Sequence, residues 1–132
     1  MSFDRLLRWA LFAGAIIDIA FGGSVLVAGG PVLRLMDIVP PADLVYAQLA
    51  ALLSISVGLS FFVAAREPLR HRPIINVAAL TRFGAAALLA WFVGRGSMPR
   101  QIYFLAAGEL VLGILHGVYS RRLGGMKETY TS

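Results

Sequence analysis

Three ionisable residues sit where a chain this apolar should avoid them. Asp18, Arg82 and Glu109 each fall inside a long hydrophobic run. At about 1.5 Å of rise per helical residue, Asp18 lies roughly 14 Å from Trp9, where its run begins. Arg82 lies roughly 12 Å from Ile74, and Glu109 roughly 12 Å from Gln101. Against a bilayer core of about 30 Å, all three fall near the midplane. A charge at the centre of a membrane helix costs about 2.5–3.5 kcal/mol. Three unpaired charges would cost on the order of 8–10 kcal/mol on that scale, so they must find one another. One guanidinium, with its five donors, can bind two carboxylates. The spacing therefore predicts an Asp18–Arg82–Glu109 cluster that joins the first, third and fourth runs. Such a cluster can serve as structural glue or as a polar pocket in an apolar bundle. In an enzyme, Asp18 or Glu109 would be acid or base and Arg82 an anion stabiliser.

Helical spacing places these groups on inward faces. Gly14, Asp18 and Gly22 recur every four residues, as do Ala78, Arg82 and Ala86. Ala106, Glu109, Gly113 and His116 share a stripe with Gly117 at its edge. The second run offers Ala47, Ala51, Ser54 and Gly58 as a small face, with Gln48 beside it. Small residues let membrane helices approach closely. The candidate ligand-binding set is thus Asp18, Gln48, Arg82, Glu109 and His116. His116 is a candidate relay or ligand contact as well as an interface residue.

The elements that must position this set are four apolar runs: 9–28, 44–65, 74–93 and 101–119. About 20 helical residues span a bilayer core. The 132-residue chain is 58% hydrophobic and 14% charged, against about 25% charged in soluble domains. The expectation is an all-α, single four-helix transmembrane bundle with short connectors and a polar tail, 120–132, mobile beyond Gly124. The first run is read as a retained helix rather than a cleaved signal, because it is long and holds Asp18. The first connector combines Gly-Gly-Pro with Pro-Pro and should break both flanking helices around a short interfacial segment.

Orientation follows from the arginines and the lysine. The N-terminus, second connector and tail carry two, three and three, and the first and third connectors one and two. The positive-inside rule then puts both termini in the cytoplasm. The formal net charge of +5 is spread over these headgroup-level clusters, which argues against nucleic acid as a partner. The chain has no cysteine, so thiol redox chemistry and thiolate metal sites are excluded. Its two histidines lack the carboxylate spacing of a metal site, and no phosphate- or dinucleotide-binding loop is present. No cofactor is expected.

The order of parts resembles the DoxX-like group of small bacterial membrane proteins. The likeness covers most of residues 5–120. It rests on the glycine-rich first run, the connector "PVLRLMDIVPP", the run "YAQLAALLSISVGLSFFVAAREP" leading into a basic turn, and the two runs that follow. The resemblance implies a bacterial inner-membrane protein. Members of the wider group are associated with thiosulfate–quinone oxidation, and relatives with assembly of other membrane proteins. No family motif maps onto numbered positions here.

The leading reading is a small non-enzymatic membrane subunit or assembly factor with a polar pocket. Two alternatives stand beside it: an enzyme or binding protein for a lipid-soluble substrate such as a quinone or isoprenoid, and a small proton-coupled transporter. The expected partners are membrane lipids, a lipid-soluble ligand, and a second copy or larger membrane complex.

Overall fold

A computed structural model of the chain describes residues 3–130. Four α-helices follow one another: α1 (Phe3–Leu35), α2 (Val45–Arg66), α3 (Arg72–Gly94) and α4 (Ile102–Tyr130). No strand occurs among the described residues. All four helices are long and apolar enough to cross a membrane. The connectors are short, so neighbours in sequence are neighbours in space. α1 packs mainly along α2 and α3 along α4, while the α1–α4 and α2–α3 seams complete the ring.

Polar ties at the two ends fix the up-and-down order. At one end, Arg8 Nε donates to the Ala65 carbonyl at 2.6 Å, and Arg122 Nε lies 3.0 Å from Asp4 Oδ1. At the other end, Gln101 donates through Nε2 to Asp37 Oδ2. The N-terminus, the second connector and the late turns of α4 therefore share one end, and the first and third connectors the other.

Helical geometry in α1 is interrupted at the glycine–proline stretch, as the sequence led one to expect. Ala28 leaves helical geometry (φ −138°, ψ 46°), and Pro31 sits inside the segment that continues to Leu35. Proline lacks an N–H and its ring crowds the carbonyl four residues earlier, so a kink is the expected response. The apolar run ends at this break, as expected, and a short second helical segment follows it to Leu35. A similar continuation appears in α4, which continues to Tyr130 past the expected boundary at 119. Buried Ser120 helps to explain it: its Oγ donates to Asn76 Oδ1 at 2.5 Å, and its carbonyl accepts from Arg72 Nε at 2.9 Å. The polar start of the tail is thus bonded to α3. The backbone is helical to Tyr130, and residues 131–132 of the tail lie outside the described residues.

The core is built mostly from small and medium side chains, among them Leu7, Leu11, Ala15, Ala64 and Ala78, packed with the larger Phe61. Large apolar side chains face outward along the helices: Leu53 is 68% exposed, Leu80 71% and Phe104 83%. Apolar area of this kind costs about 25 cal/mol per Å² in water, and its extent marks a surface suited to lipid.

Candidate binding site

Arg82 starts from α3 and reaches across the ring to α1 and α4. It is 4% exposed. Its Nη1 donates to both oxygens of Glu109, at 2.7 and 2.8 Å. Its Nη2 donates to Asp18 Oδ2 at 2.5 Å and to the Gly14 carbonyl at 3.2 Å. Both carboxylates are largely buried. Charge-assisted bonds of this kind are roughly twice as strong as neutral ones, and they offset the cost of taking the three groups out of water. The fifth donor, Nε–H, is buried and has no partner.

Neighbouring residues hold the cluster in place. Ser54 Oγ on α2 donates to the Asp18 carbonyl at 3.1 Å, locking α1 against α2 at this level. The Phe61 ring lies under the guanidinium, 5.8 Å from its central carbon, within the range of a cation–π contact. On α1, a Cβ at Gly14 would stand 3.3 Å from Arg82 Nη2, so the glycine makes room for the arginine.

A cavity of about 330 Å³ opens beside the cluster. All four helices line it, with Asp18, Ser54, Arg82 and Glu109 supplying polar groups and Val57 and Phe61 apolar wall. Ile17, Phe21, Leu53 and Leu105 also line it and are themselves exposed. The mouth therefore opens on the side of the bundle, at mid-helix, and not at either end.

The five residues singled out from sequence separate into two groups. Asp18, Arg82 and Glu109 come together. Gln48 does not join them: it is exposed and does not line the cavity, although Ala50 two residues on does. His116 is fully buried and lies behind Phe61, with ring centroids 6.1 Å apart, outside the cavity. Phe61 and Thr81 line the cavity without having been marked by their sequence context. Among the described residues, no group of three or more His, Cys, Asp or Glu is placed to hold a metal ion.

Fold and site together define a class: an all-α bundle of four helices, each long enough and apolar enough to cross a membrane, with an ionic cluster among them. Comparison with protein-family models, curated proteins and solved structures finds no match to this chain.

Proposed function

We propose that this chain is a non-enzymatic multi-pass membrane protein that holds a lipid-soluble ligand at Asp18–Arg82–Glu109. In this reading it is an accessory component of a bacterial inner membrane, in keeping with the DoxX-like resemblance. The observation that carries it is the side-opening cavity, whose floor is ionic and whose mouth is apolar. A ligand dissolved in the bilayer can enter such a mouth without crossing water, and the polar floor fixes its head. Ligand pockets commonly combine apolar walls with a few placed polar groups.

The test is to purify the full chain in mild detergent and identify what co-purifies by mass spectrometry. One stoichiometric apolar small molecule is expected. Its retention should fall about tenfold or more in Glu109→Gln, which replaces a charged acceptor at the cavity floor with a neutral one, where bonds to charged groups are worth about 1.5–3 kcal/mol. Unchanged retention, or a stoichiometric protein partner with no small molecule, would sink the binding reading.

The same reading puts both termini in the cytoplasm, on the eight-to-three asymmetry of basic residues outside the apolar runs. Reporter fusions after residues 34 and 96 should then report the outside, and fusions after 70 and 125 the cytoplasm. A cytoplasmic signal at residue 34 would reverse the orientation.

A further inference from the structure

We propose that the basic end of α1 and α2 binds the head of an anionic phospholipid, in a pocket formed by Arg5, Arg8, Trp9 and Phe12. This pocket shares no lining residue with the cavity at Asp18–Arg82–Glu109. It is independent of what that cavity holds and requires only that the helices cross a membrane.

Charge at this end is unevenly matched. Its carboxylates, among the described side chains, are Asp4 and Glu67. Arg122 Nε lies 3.0 Å from Asp4 Oδ1, and Arg70 Nη1 lies 3.4 Å from Glu67 Oε2. Arg5, Arg8 and Arg66 are exposed and have no carboxylate partner among the described residues. Arg8 is nonetheless held in place. Its Nε donates to the Ala65 carbonyl at 2.6 Å and its Nη2 to the Arg66 carbonyl at 3.2 Å. Those bonds bring the last turn of α2 beside the first turns of α1. The Arg66 guanidinium lies 4.9 Å from the centre of the Phe62 ring, and Phe62 meets Phe12 edge-on at 5.3 Å. The α1–α2 edge thus carries three arginines whose charge nothing in the protein offsets.

The pocket on this edge has a volume of about 310 Å³. Two of its lining residues are arginines, and the other two are rings whose centres lie 5.8 Å apart. Trp9 is 60% exposed and stands where the apolar run begins. Tryptophan is enriched at membrane–water interfaces, so the pocket falls at headgroup depth. A guanidinium fork matches the oxygens of a phosphate. Further along, the same face of α1 becomes apolar. Ala13, Ile16 and Ala20 follow Arg5 and Trp9 at helical spacing and are exposed, which offers a surface to acyl chains. Cationic at its end and apolar beyond it, the face has the order of a lipid and not of a free phosphate. The charge selects the lipid. A zwitterionic head would bring an ammonium towards unmatched arginines, whereas a head such as that of phosphatidylglycerol brings only its negative charge. Anionic lipids are drawn to basic segments beside membrane helices on the same principle.

The experiment uses the chain's own tryptophans, Trp9 and Trp91. Trp91 is exposed and lies in the last turn of α3, at the other end of the bundle. Trp91→Phe therefore leaves Trp9, in the pocket, as the sole reporter. The full chain with this change is reconstituted in phosphatidylcholine vesicles that contain brominated phosphatidylglycerol or brominated phosphatidylcholine with the same acyl chains. Bromine quenches indole fluorescence at short range. Phosphatidylglycerol should quench Trp9 as though enriched about tenfold beside it, the factor expected for one bond between charged groups. Arg5→Gln should bring that enrichment close to the phosphatidylcholine level with no change in melting temperature, since Arg5 has no hydrogen bond or ion pair among the described residues. Arg121→Gln removes an equal charge from the same end, outside the pocket, and should leave the enrichment in place. Inorganic phosphate, set against chloride at equal ionic strength, should not displace the lipid.

Equal quenching by the two lipids would overturn the site. Equal losses in Arg5→Gln and Arg121→Gln would reduce it to diffuse charge at the basic end and overturn the pocket. Displacement by inorganic phosphate would make it a free-anion site and overturn the lipid assignment. The comparison of the two lipids needs no pocket variant, so it decides the proposal even if Arg5→Gln melts early. Ligand released by Glu109→Gln and lipid lost in Arg5→Gln are separate readouts, so either reading can fail alone.

Discussion

Arg82→Leu is expected to destabilise the bundle by about 3–5 kcal/mol, the usual cost of removing one partner from a buried ionic group. The reason is asymmetric. Arg82 satisfies Asp18 and Glu109 at once, so its loss leaves two buried carboxyls with no cation. The damage should be greater at mildly alkaline than at mildly acidic pH. In the variant, both carboxyls can stay buried cheaply only as neutral acids. Folding then requires protons that the exposed groups of the unfolded chain do not hold, so stability is present at low pH and falls as pH rises. The triple change Asp18→Leu, Arg82→Leu and Glu109→Leu should recover much of the loss, because apolar replacement of a whole buried ionic group is often neutral or stabilising. Melting temperatures in one detergent, across pH, measure all three effects. Stability without ligand retention in the triple variant would mark a working site. Simple additivity of the three single losses would contradict the shared contacts, since residues in one ionic network normally couple by 0.5–3 kcal/mol.

The residues that could be read in advance are those that a membrane environment makes conspicuous. A carboxylate or guanidinium inside an apolar run carries a cost that only a partner removes, so Asp18, Arg82 and Glu109 announced one another. Small residues at every fourth position marked the faces that now lie inward: Gly14, Gly22, Ala51, Gly58, Ala78 and Ala86 are all buried. What stayed hidden has a physical cause too. In a bundle with an apolar exterior, a phenylalanine is at home facing core or lipid, so nothing in the composition separates buried Phe61 from exposed Phe104. Gln48 was drawn in by its polarity. Gln48 follows Ala47 by one residue, a turn of about 100°, and it lies at the edge of the small-residue face, where its side chain is exposed. Hydropathy and helicity part at the helix ends. Hydropathy tells how far the apolar run extends, whereas helix continues wherever backbone and side-chain bonds permit. Hence helix resumes after the expected break at Ala28 and reaches Leu35, and α4 runs on beyond Ser120.

Gly58→Leu should destabilise the bundle by more than the 1–3 kcal/mol typical of overpacking, and it should also weaken ligand retention. A Cβ at Gly58 would lie 2.8 Å from the Ala15 carbonyl oxygen, 2.8 Å from Ile19 Cγ1 and 3.1 Å from Asp18 Cβ. The first of these is backbone and cannot swing away, so α1 itself must move. Two turns of α1 further along, Gly22 meets the same constraint from the other partner, with a Cβ 2.6 Å from the Ala51 carbonyl oxygen. The two glycines thus let α1 and α2 cross at backbone contact, on either side of the Ser54–Asp18 bond. Gly22→Leu should therefore unfold the bundle to a similar degree. Gly58→Leu differs because it pushes directly on the residue that presents Asp18 to Arg82. Gly23 provides the control: a Cβ there meets nothing within 4 Å, so Gly23→Ala should leave melting and ligand retention unchanged, or raise stability by up to about 1 kcal/mol through helix propensity. Equal melting temperatures for Gly58→Leu, Gly22→Leu and the native chain would mean that α1 and α2 do not approach at these glycines. Asp18 would then lose the placement on which the site depends.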